Sequence, residues 1–336
     1  MTKILVTGGT GYIGSHTIVA LIEQGYEPVI LDNYSNSQPA VVDRVEQITS
    51  VRPKTVDMDV QDGAALTALF SQYEFDSVIH FAGLKAVGES VEKPLCYYQN
   101  NVGGALTLIE VMRQYNCYRL VFSSSATVYG NPASVPIKES FPLQATNPYG
   151  QTKLMVEQML RDLHFADERW EIAILRYFNP VAAHSSGLIG EDPNGIPNNL
   201  LPYIAKVGVG ELDVLQVFGG DYDTPDGTGV RDYIHVSDLA EAHIKALDTL
   251  SSGHGCQAYN IGTGEGYSVL EVVRAFEQAS GVEIPFNIIS RRPGDVASCY
   301  ADPSLSEMAL GWKARFNLEE MMVDQWRWQS TNPQGY

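Results

Sequence analysis

The residues best suited to proton transfer are a tyrosine and a lysine four positions apart, Tyr149 and Lys153. Residues i and i+4 share one face of a helix, so a helix here would hold an ammonium group beside a phenol. A free tyrosine has a pKa of about 10, and nearby positive charge favours its phenolate, which makes Tyr149 a candidate general base. Ser125 ends a serine run that begins at Ser123, and we expect its hydroxyl to orient the reacting group. The competing interpretation is a solvent-exposed lysine beside a serine run that caps a helix.

A glycine-rich segment near the start of the chain predicts a dinucleotide site. Gly8, Gly11 and Gly14 follow an apolar run and precede a helical pattern. Glycine is needed where the backbone turns tightly or approaches a pyrophosphate, although such a turn can also be purely structural. The second apolar run ends at Asp32, whose carboxylate could accept hydrogen bonds from an adenosine ribose. Because Asp32 would repel a 2′-phosphate and no arginine follows before Arg44, we predict NAD rather than NADP. Its oxidised nicotinamide would add positive charge near Tyr149.

Two further segments follow predicted strands and would border the same cofactor. Asp59 and Val60 come after the third strand, where the adenine would lie, with a helix cap as the alternative for Asp59. Residues 81–85 come after the fourth strand, and Lys85 would reach a ribose or a phosphate, or else extend into solvent. Ligands of open parallel sheets bind at the carboxyl ends of the strands, so we expect both segments near the glycine turn.

Apolar runs and amphipathic stretches alternate through the first half of the chain. This alternation is typical of a parallel sheet with helices on both faces, so we predict an α/β fold with a Rossmann-type doubly wound parallel sheet. The predicted strands are residues 4–7, 28–31, 55–57, 77–81, 120–123 and 172–176. The predicted helices are residues 13–24, 64–73, 102–115 and 149–163.

After residue 177 the alternation gives way to long loops. Glycine, proline and asparagine are frequent in residues 179–202, and glycine and aspartate in residues 219–229. Long loops in a compact domain usually bind ligands. Shorter elements follow, a helix over 237–250, a strand over 258–261 and a helix over 268–280. We therefore predict an NAD-binding domain over residues 1–177, its sheet partly completed by later segments, and a smaller α/β substrate lobe over residues 178–336.

The composition argues against polyanionic partners. Lys and Arg number 22 against 40 Asp and Glu, a formal net charge of −18, which repels nucleic acid and anionic membranes. No apolar stretch reaches the roughly 18 residues that span a bilayer, and the predicted first strand leaves no room for a secretory leader. The four cysteines lack CxxC spacing and the seven histidines form no cluster. We expect a cytoplasmic protein with no metal, nucleic-acid or membrane partner.

These motifs together resemble the extended short-chain dehydrogenase/reductase superfamily. Its members combine the glycine turn, the acid after the second strand, a serine or threonine at the end of the fifth strand and the YxxxK pair. Within the superfamily the chain closely resembles the nucleotide-sugar 4-epimerases, over essentially its whole length. The segments that carry this resemblance are residues 8–16, 80–90, 123–130, 175–180, 195–200, 226–236, 326–329 and 332–335.

The resemblance implies the interconversion of UDP-glucose and UDP-galactose. Tyr149 would take the proton of the 4-hydroxyl while hydride passes from C4 to NAD, which gives a 4-keto sugar. That sugar would turn over within the pocket and be reduced on its opposite face. NAD would stay bound throughout, and the UDP group would anchor a hexose that remains free to rotate.

The resemblance also implies which residues contact the two ligands. The cofactor contacts are Gly8, Gly11, Tyr12, Ile13, Gly14, Asp32, Asn33, Asn36, Ser37, Asp59, Val60, Phe81, Ala82, Gly83, Lys85, Asn100, Ser123, Tyr149, Lys153, Tyr177 and Phe178. The substrate contacts are Lys85, Ser125, Tyr149, Asn179, Asn199, Leu200, Val217, Phe218, Arg231, Arg292, Asp295 and Cys299. Core packing is an alternative for Tyr177 and Phe178, and an ion pair for Arg231 and Arg292. A diphosphate in so acidic a chain nevertheless needs guanidinium donors, which can bind phosphate in a bidentate fork.

Two positions depart from the usual pattern of these epimerases. Position 299 is Cys, where some members with a narrow sugar preference have Tyr. A smaller side chain would enlarge the hexose pocket and admit N-acetylated UDP-hexoses, although an ordinary buried thiol is the alternative. Ala182 stands where glycine is more frequent, from which we expect only a local adjustment of the backbone.

Three other functions compete with epimerisation. A 4,6-dehydratase would need an Asp-Glu pair directly after the strand-five threonine, where residues 126–128 are Ala-Thr-Val. A decarboxylase would need a sugar that bears a carboxylate, and a non-catalytic NAD-binding regulatory protein would typically have lost Tyr149 or Lys153. We also expect a homodimer in which helices 102–115 and 149–163 pair, although the same faces could pack within one chain.

Overall fold

Short strands alternate with helices through most of the chain. The computed structural model describes residues 2–193, 195, 197, 199–292 and 294–336. Its strands are β1 (Lys3–Thr7), β2 (Glu27–Asp32), β3 (Lys54–Asp57), β4 (Ser77–His80), β5 (Arg119–Ser125), β6 (Glu171–Tyr177), β7 (Asn179–Val181), β8 (Leu215–Phe218), β9 (Val230–Arg231), β10 (Tyr233–His235), β11 (Cys256–Ile261), β12 (Tyr267–Ser268), β13 (Phe286–Ile289) and β14 (Ser298–Cys299). Its helices are α1 (Tyr12–Glu23), α2 (Ala40–Thr49), α3 (Gly63–Gln72), α4 (Val87–Glu92), α5 (Pro94–Tyr97), α6 (Gly104–Gln114), α7 (Pro148–Ala166), α8 (Leu200–Gly208), α9 (Val236–Leu250), α10 (Val269–Ser280), α11 (Ser304–Leu310) and α12 (Leu318–Thr331). A π-helical segment (Tyr98–Gly103) precedes α6, and a 3₁₀ turn (Ala126–Tyr129) follows β5.

Seven parallel strands form the central sheet, in the order β11-β6-β5-β4-β1-β2-β3. Successive side chains of a strand point to opposite faces, so Val6 lies in a hydrophobic cluster with α1, α2 and α9, while Leu5 lies in another with α3, α6 and α7. Both faces are thus covered, which explains why the inner strands are buried along nearly their whole length. The predicted α/β fold with a doubly wound parallel sheet is confirmed.

The strand order reverses beside β1. β1 pairs with β2 on one side and with β4 on the other, so the chain first builds the sheet outward to β3 and then returns to extend it the other way. In doubly wound sheets a crevice opens at this point, outside the carboxyl ends of the strands. The glycine turn that follows β1 lies at the mouth of this crevice.

Residues after 177 contribute both to the central sheet and to a group of smaller sheets. β11 pairs in parallel with β6, and α9 packs against the face that also holds α1. The remaining strands form the pairs β7–β10 and β8–β13 and the sheet β12-β9-β14. A third hydrophobic cluster joins α8, α10 and α12. In the β9–β14 pair, Arg231 and Cys299 lie directly opposite each other.

The helix predicted over residues 102–115 differs from the observed segment. The chain is already helical from Pro94, a residue suited to the first helical position, and passes through the π-helical segment before α6 begins at Gly104. The apolar periodicity starts only at Val102 because three polar residues precede it. π-helical turns are frequent at functional sites, and this one contains Asn100 and Asn101.

Candidate active site

The glycine turn after β1 leaves backbone N–H groups available at a helix start. Gly8 has a φ of +70°, which side-chain-bearing residues rarely adopt, and a Cβ atom on Gly14 would lie 2.2 Å from the Gly8 carbonyl oxygen. Gly11 is the N-cap of α1 and has no side chain to bond the first turn. The N–H groups of Tyr12, Ile13 and Gly14 therefore point outward without helix partners, as an anion-binding turn requires.

Asp32 ends β2 beside this turn and is almost fully buried. Its carboxylate accepts hydrogen bonds from the Thr10 and Tyr34 N–H groups, each at 3.0 Å, and from the Ser37 hydroxyl at 3.1 Å. A carboxylate has about four acceptor positions, so one remains for a ribose hydroxyl. The next arginine in the chain, Arg44, bonds a side chain near the C-terminus instead. The residues present therefore fit NAD.

Asp59 lies beyond β3 and does not cap a helix. Asp62 caps α3, since its carboxylate accepts a hydrogen bond from the Ala65 N–H at 3.0 Å. The helix-cap interpretation of Asp59 is therefore wrong. Its carboxylate instead accepts from the Asn33 side-chain amide at 3.0 Å, which joins the loops after β2 and β3. Val60 beside it is buried, and the predicted adenine contacts of this corner stay predictions.

Lys85 takes part in a bridge across the mouth of the crevice. A small cavity there is lined by Thr10, Gly11, Tyr12, Asn36, Ser37, Gln38, Val41, Lys85, Gly190, Glu191, Asp192, Pro193 and Tyr336. The Lys85 ammonium pairs with the buried Glu191 carboxylate at 2.8 Å, and the Asn199 amide donates to the same oxygen at 3.0 Å. Glu191 thus connects a predicted cofactor residue to a predicted substrate residue. Sequence reasoning missed it because nothing distinguishes one acid within a long loop.

Residues 81–83 connect the glycine turn to the tyrosine–lysine pair. The N–H groups of Phe81 and Ala82 donate to the last carbonyl of β1 at 3.0 and 3.1 Å. A Cβ atom on Gly8 would lie 2.8 Å from the Ala82 nitrogen, and one on Gly83 would lie 3.9 Å from the Lys153 ammonium. The loop after β4 therefore packs between the two motifs, although Gly8 and Tyr149 are 141 positions apart in the sequence.

Helix α7 carries Tyr149 and Lys153 to the carboxyl end of β5. Asn147 caps the helix, and Lys153 is only 6% exposed. Its ammonium donates to the Ser123 carbonyl at 2.7 Å and lies 5.9 Å from the centre of the Tyr149 ring. Ser125 lies against the Tyr149 phenol and also caps the 3₁₀ turn through its hydroxyl. The interpretation of Lys153 as solvent-exposed is wrong, whereas Ser125 both caps and borders the phenol.

Burial dominates the ionisation of this pair. Removal from water raises the pKa of Tyr149, and the Ser125 hydroxyl opposes this shift only in part. Burial lowers the pKa of Lys153 to about 8, opposed by the charge of Glu157. The Lys153 ammonium bonds a backbone carbonyl rather than the phenol, and the phenolate predicted from Lys153 and the oxidised nicotinamide together stays a prediction. A phenolate at Tyr149 requires further positive charge.

Tyr177 and Phe178 follow one another at the end of β6, and both are buried. The Tyr177 hydroxyl donates to Nε2 of His243 at 2.5 Å, since the other ring nitrogen of His243 bonds a helix carbonyl. Phe178 packs in a small separate cluster that also contacts Cys299. Core packing thus accounts for both aromatic rings, and their cofactor contacts stay predictions.

Asn101, in the π-helical segment, is a positioning residue that sequence reasoning overlooked. Its side-chain oxygen accepts from the Leu84 N–H at 2.8 Å, and its amide donates to the Leu84 carbonyl and the Thr152 hydroxyl, each at 3.0 Å. The predicted cofactor residue Asn100 donates to Asn101 at 3.0 Å. A pair of asparagines within an otherwise helical stretch was the available signal.

The charged residues predicted to bind substrate meet at Asp295. Arg292 lies 3.0 Å and Arg231 3.7 Å from its carboxylate. The Arg292 guanidinium also lies 4.7 Å from the centre of the Phe218 ring, which is 36% exposed. Both arginines form the ion pairs that the competing interpretation expects, and their phosphate contacts stay predictions.

The other predicted substrate residues differ in how far they are exposed. Asn179 is exposed at the start of β7, and Asn199 and Leu200 begin α8. The Val217 side chain is buried in the third hydrophobic cluster, so only its backbone can reach a ligand. Cys299 packs partly buried beside Phe178, and burial raises the pKa of its thiol to about 11.

Ala182 adopts a backbone conformation that favours glycine. Its φ is +71°, in the left-handed region, which explains why glycine is frequent at this position. The Ala182 carbonyl accepts a hydrogen bond from the Tyr12 hydroxyl at 2.7 Å. The expected local adjustment is therefore a strained residue held against the glycine turn.

The described part of the chain offers neither a metal cluster nor a membrane span. Among these residues, no group of three or more His, Cys, Asp or Glu side chains could hold a metal ion. None of the helices described above is long and apolar enough to cross a bilayer.

The fold and these motifs define a short-chain dehydrogenase/reductase of the extended type: a glycine turn after β1, an acid ending β2, a serine ending β5 and a Tyr-Lys pair on α7. The family model described as GDP-mannose 4,6 dehydratase matches residues 5–325. The chain is 60% identical to UDP-glucose 4-epimerase of Bacillus subtilis (strain 168) over 333 residues, covering 99% of this chain and 98% of that protein. It is 55% identical to UDP-glucose 4-epimerase of Homo sapiens over 341 residues, covering 99% and 98%.

Solved structures agree with these relatives. UDP-glucose 4-epimerase from Bifidobacterium longum, in complex with NAD+ and UDP, superposes with a TM-score of 0.96 at 55% identity and covers 100% of both chains. The enzyme from Stenotrophomonas maltophila, with bound NAD and formylated UDP-arabinopyranose, gives a TM-score of 0.97 at 50% identity and 99% coverage of both chains. The chain belongs to the UDP-glucose 4-epimerase family.

Proposed function

We propose that Tyr149, Ser125 and Lys153 carry out the proton transfers by which this chain interconverts UDP-glucose and UDP-galactose. The chain is an NAD-dependent epimerase that inverts C4 of the hexose through a 4-keto sugar. The observation that carries the residue assignment is the convergence of these three side chains at the end of β5, next to the glycine turn. A phenol, a hydroxyl and an ammonium at one sheet edge suit the oxidation of a secondary alcohol.

The cofactor is held by the features described for the crevice. The N–H groups of Tyr12, Ile13 and Gly14 suit the pyrophosphate, and the remaining acceptor position of Asp32 suits a ribose. When bound, NAD supplies the oxidant for C4 and later returns the same hydrogen and electrons, so the overall reaction is redox-neutral.

Tyr149 moves the proton and Ser125 fixes the hydroxyl that carries it. As C4 is oxidised, the 4-hydroxyl loses its proton to the Tyr149 oxygen, and the same proton returns to O4 when the carbonyl is reduced. Ser125, whose hydroxyl borders the phenol, orients O4. Burial alone raises the pKa of Tyr149, so the ammonium of Lys153 and the charge of the bound cofactor must together offset that cost.

The UDP group is the anchor, because the hexose must present both faces to the same site. Arg231 and Arg292 already converge on one carboxylate, Asp295, so both guanidinium groups are directed at a common point. Two such groups can bind a diphosphate through charge-assisted hydrogen bonds. The sugar itself then needs few contacts that would stop it rotating.

The competing functions lack a supporting feature in the structure. After Ser125 the chain enters the 3₁₀ turn Ala126–Tyr129, which contains no carboxylate for dehydration. Nothing in the described site favours a decarboxylase. A non-catalytic NAD-binding protein would have no need to bury an ammonium beside a phenol, since the burial of a charge is costly.

The direct test is incubation of the purified protein with UDP-galactose without added cofactor, followed by product analysis. UDP-glucose as the only product supports the proposal, while a dehydrated or decarboxylated sugar supports one of the alternatives. A near-ultraviolet absorbance scan during the incubation detects reduced cofactor. An absence of both product and spectral change would support a non-catalytic protein.

We also propose that N-acetylated UDP-hexoses are accepted, because position 299 is a cysteine. A structural relative at 36% identity, from Campylobacter jejuni, is described as a UDP-Glc/GlcNAc 4-epimerase. The Cys299→Tyr variant should suppress turnover of UDP-GlcNAc while retaining turnover of UDP-glucose. If the unchanged protein does not act on UDP-GlcNAc, the proposal fails.

We further propose a homodimer built from α6 and α7. Leu106 on α6 and Met155 on α7 are 53% and 40% exposed, and the helices lie on one side of the sheet. The double variant Leu106→Glu/Met155→Glu should be monomeric by light scattering, whereas Met308→Glu, at a site on α11 that is 78% exposed, should not change the assembly. We propose the same two-part division that the sequence predicts: an NAD-binding domain over residues 1–177, which β11 and α9 join, and a substrate lobe over residues 178–336. We also propose a cytoplasmic location, which suits the four free cysteines.

A further inference from the structure

The stripe of helix α7 that carries Tyr149 and Lys153 continues one turn further to Glu157. The three residues are spaced four apart, so they lie along one face of the helix. Tyr149 is half-buried, Lys153 is 6% exposed and Glu157 is fully buried. An ionised carboxylate so deep in a protein must be paired and hydrogen-bonded. Its partners therefore indicate what it does.

Every acceptor position of the Glu157 carboxylate is used. The Ser124 hydroxyl donates to it at 2.6 Å, and Arg161 donates at 2.9 Å. Arg176, itself 1% exposed, donates twice, at 3.0 and 2.7 Å, in a bidentate pair. Although burial raises it, these bonds lower the pKa of Glu157 overall, so the group carries a negative charge at neutral pH.

Three consecutive serines of β5 contact the three residues of this stripe. The Ser123 carbonyl accepts from Lys153, the Ser124 hydroxyl donates to Glu157, and Ser125 borders the Tyr149 phenol. Ser124 also lies opposite Arg176 in the β5–β6 register, so strand and helix are joined at this level from two sides. A slide of α7 along β5 would break all three contacts together.

Glu157 is also an acidic side chain whose negative charge acts on the Lys153 ammonium. The titratable groups that face the Lys153 ammonium are Tyr149 and Glu157 from its own helix and His80 from β4. His80 is neutral, because burial and the charge of Lys153 lower its pKa to about 3. Burial lowers the pKa of Lys153 and Glu157 opposes that shift. The carboxylate thus supports an ammonium that the interior would otherwise neutralise.

We propose that Glu157, held by Arg176 and Ser124, is a positioning residue that sets the place of Lys153 against β5 and stabilises its ammonium for proton transfer at Tyr149. The proposal rests on the function assigned above to Tyr149 and Lys153. The competing view is that the Glu157–Arg176 pair only holds β5, β6 and α7 together. The two views differ in whether loss of the charge changes the titration of Lys153.

The test is the pH profile of kcat for UDP-galactose in the Glu157→Gln variant, which keeps the shape and removes the charge. Without the carboxylate, Lys153 should lose its proton at lower pH, so the alkaline limb of kcat should move down by about one pH unit. A ¹³C-lysine NMR titration, with the Lys153 signal assigned from Lys153→Met, should show the same shift. The matched control is Asp238→Asn, since Asp238 is an equally buried carboxylate that bonds backbone N–H groups of residues 315 and 316. Its profile should match that of the unchanged protein.

An unchanged Lys153 titration in Glu157→Gln, or an equal shift in Asp238→Asn, overturns the proposal. If Glu157→Gln does not fold, Ser124→Ala tests the positioning part of the proposal, because it keeps the charge pair and removes only the bond between Glu157 and β5. We expect kcat to fall roughly tenfold in that variant with KM and the alkaline limb unchanged, and an unaltered kcat overturns the proposal. Lys153→Met distinguishes a failure of the proposed function from a failure of the role proposed for Glu157. If Lys153→Met keeps full activity, the function proposed for Tyr149 and Lys153 is wrong.

Discussion

The interior around α7 and β5 and the rim around Asp295 show two opposite ways of holding charge. In the interior, Lys153 and Glu157 are buried, and each forms hydrogen bonds of 2.6–3.0 Å to β5 or to neighbouring side chains. At the rim, Arg292 is half exposed and pairs with Asp295 at 3.0 Å. The groups proposed to react are therefore fixed by burial, whereas the groups proposed to bind the nucleotide remain able to exchange partners.

This difference matches what each region must do during epimerisation. Proton transfer is efficient only when donor and acceptor are held in place, which a packed interior provides. The nucleotide must enter and leave in every turnover, which suits solvated side chains with weak ion pairs.

Tyr149→Phe removes the phenol oxygen that is proposed to carry the proton. Loss of general acid–base catalysis should lower kcat by about 10²–10⁴-fold with KM nearly unchanged, because the nucleotide contacts are intact. Steady-state kinetics with UDP-galactose measure this change. Tyr115→Phe, at an exposed tyrosine after α6, is the control and should retain full activity. A Tyr149→Phe protein as active as its parent would contradict the proposal that Tyr149 transfers the proton.

Arg292→Met removes one of the two guanidinium groups at Asp295 and should change KM rather than kcat. KM for UDP-galactose should rise about 10–100-fold with kcat little changed, since a charge-assisted contact made equally in ground and transition states is lost. The matched control is the adjacent Arg291→Met, because Arg291 bonds Asp221 at 2.7 Å rather than Asp295. Its KM should change less than about threefold. Equal effects of the two substitutions would contradict the proposed nucleotide site.

Lys153→Met tests whether the buried ammonium costs stability. Burial lowers the pKa of Lys153 from 10.5 to about 8, so between those values the unfolded chain binds a proton that the folded chain has lost. The free energy of unfolding contributed by this group therefore rises with pH from about 8 to about 10.5. At pH 7 the variant should be inactive but more stable, by at most about 3 kcal/mol. Urea unfolding at pH 7 and pH 10 should show the difference shrinking at the higher pH, and a constant difference would refute it.

Ala182→Gly should relieve strain where the end of β7 meets the glycine turn. A side chain in the left-handed region costs about 1–2 kcal/mol and glycine loses about 0.5–1 kcal/mol in entropy, so we expect a gain of about 0.5–1 kcal/mol. The bond from the Tyr12 hydroxyl involves a backbone carbonyl and is retained. Thermal unfolding measures the change. Ala183→Gly, at a neighbour outside the left-handed region, should instead lower the stability by a similar amount.

Sequence reasoning predicted the parts of the fold that repeat a period. The strands from β1 to β6 and helix α7 carry apolar runs or amphipathic faces, and their observed bounds differ from the predicted ones by a few residues. Helix α2 lacks a strong signal, since it contains three valines among polar residues and starts after a proline. The two-residue strands β9, β12 and β14 have no period at all, because their positions follow from tertiary pairing.

The residues of the candidate active site also differ in whether the sequence alone could identify them. Tyr149, Lys153 and the glycines are recognisable because their spacing has a physical meaning on a helix or a turn. Glu191 and Asn101 are not, since their roles depend on tertiary contacts, such as those with Lys85, 106 positions from Glu191, and with Thr152, 51 positions from Asn101. The direction of the Tyr149 pKa was also beyond the sequence, because it depends on how much water surrounds the phenol rather than on which charges lie nearby.

The carboxylate shared by Arg231 and Arg292 bears on how quickly a product can depart. Two guanidinium groups without a counter-ion would bind a diphosphate tightly, and its dissociation would then limit the rate of turnover. If the nucleotide binds these two arginines as proposed, its arrival exchanges one anion for another, and its departure returns both guanidinium groups to Asp295. On that proposal Asp295 competes with the nucleotide and shortens the time for which each sugar nucleotide stays bound.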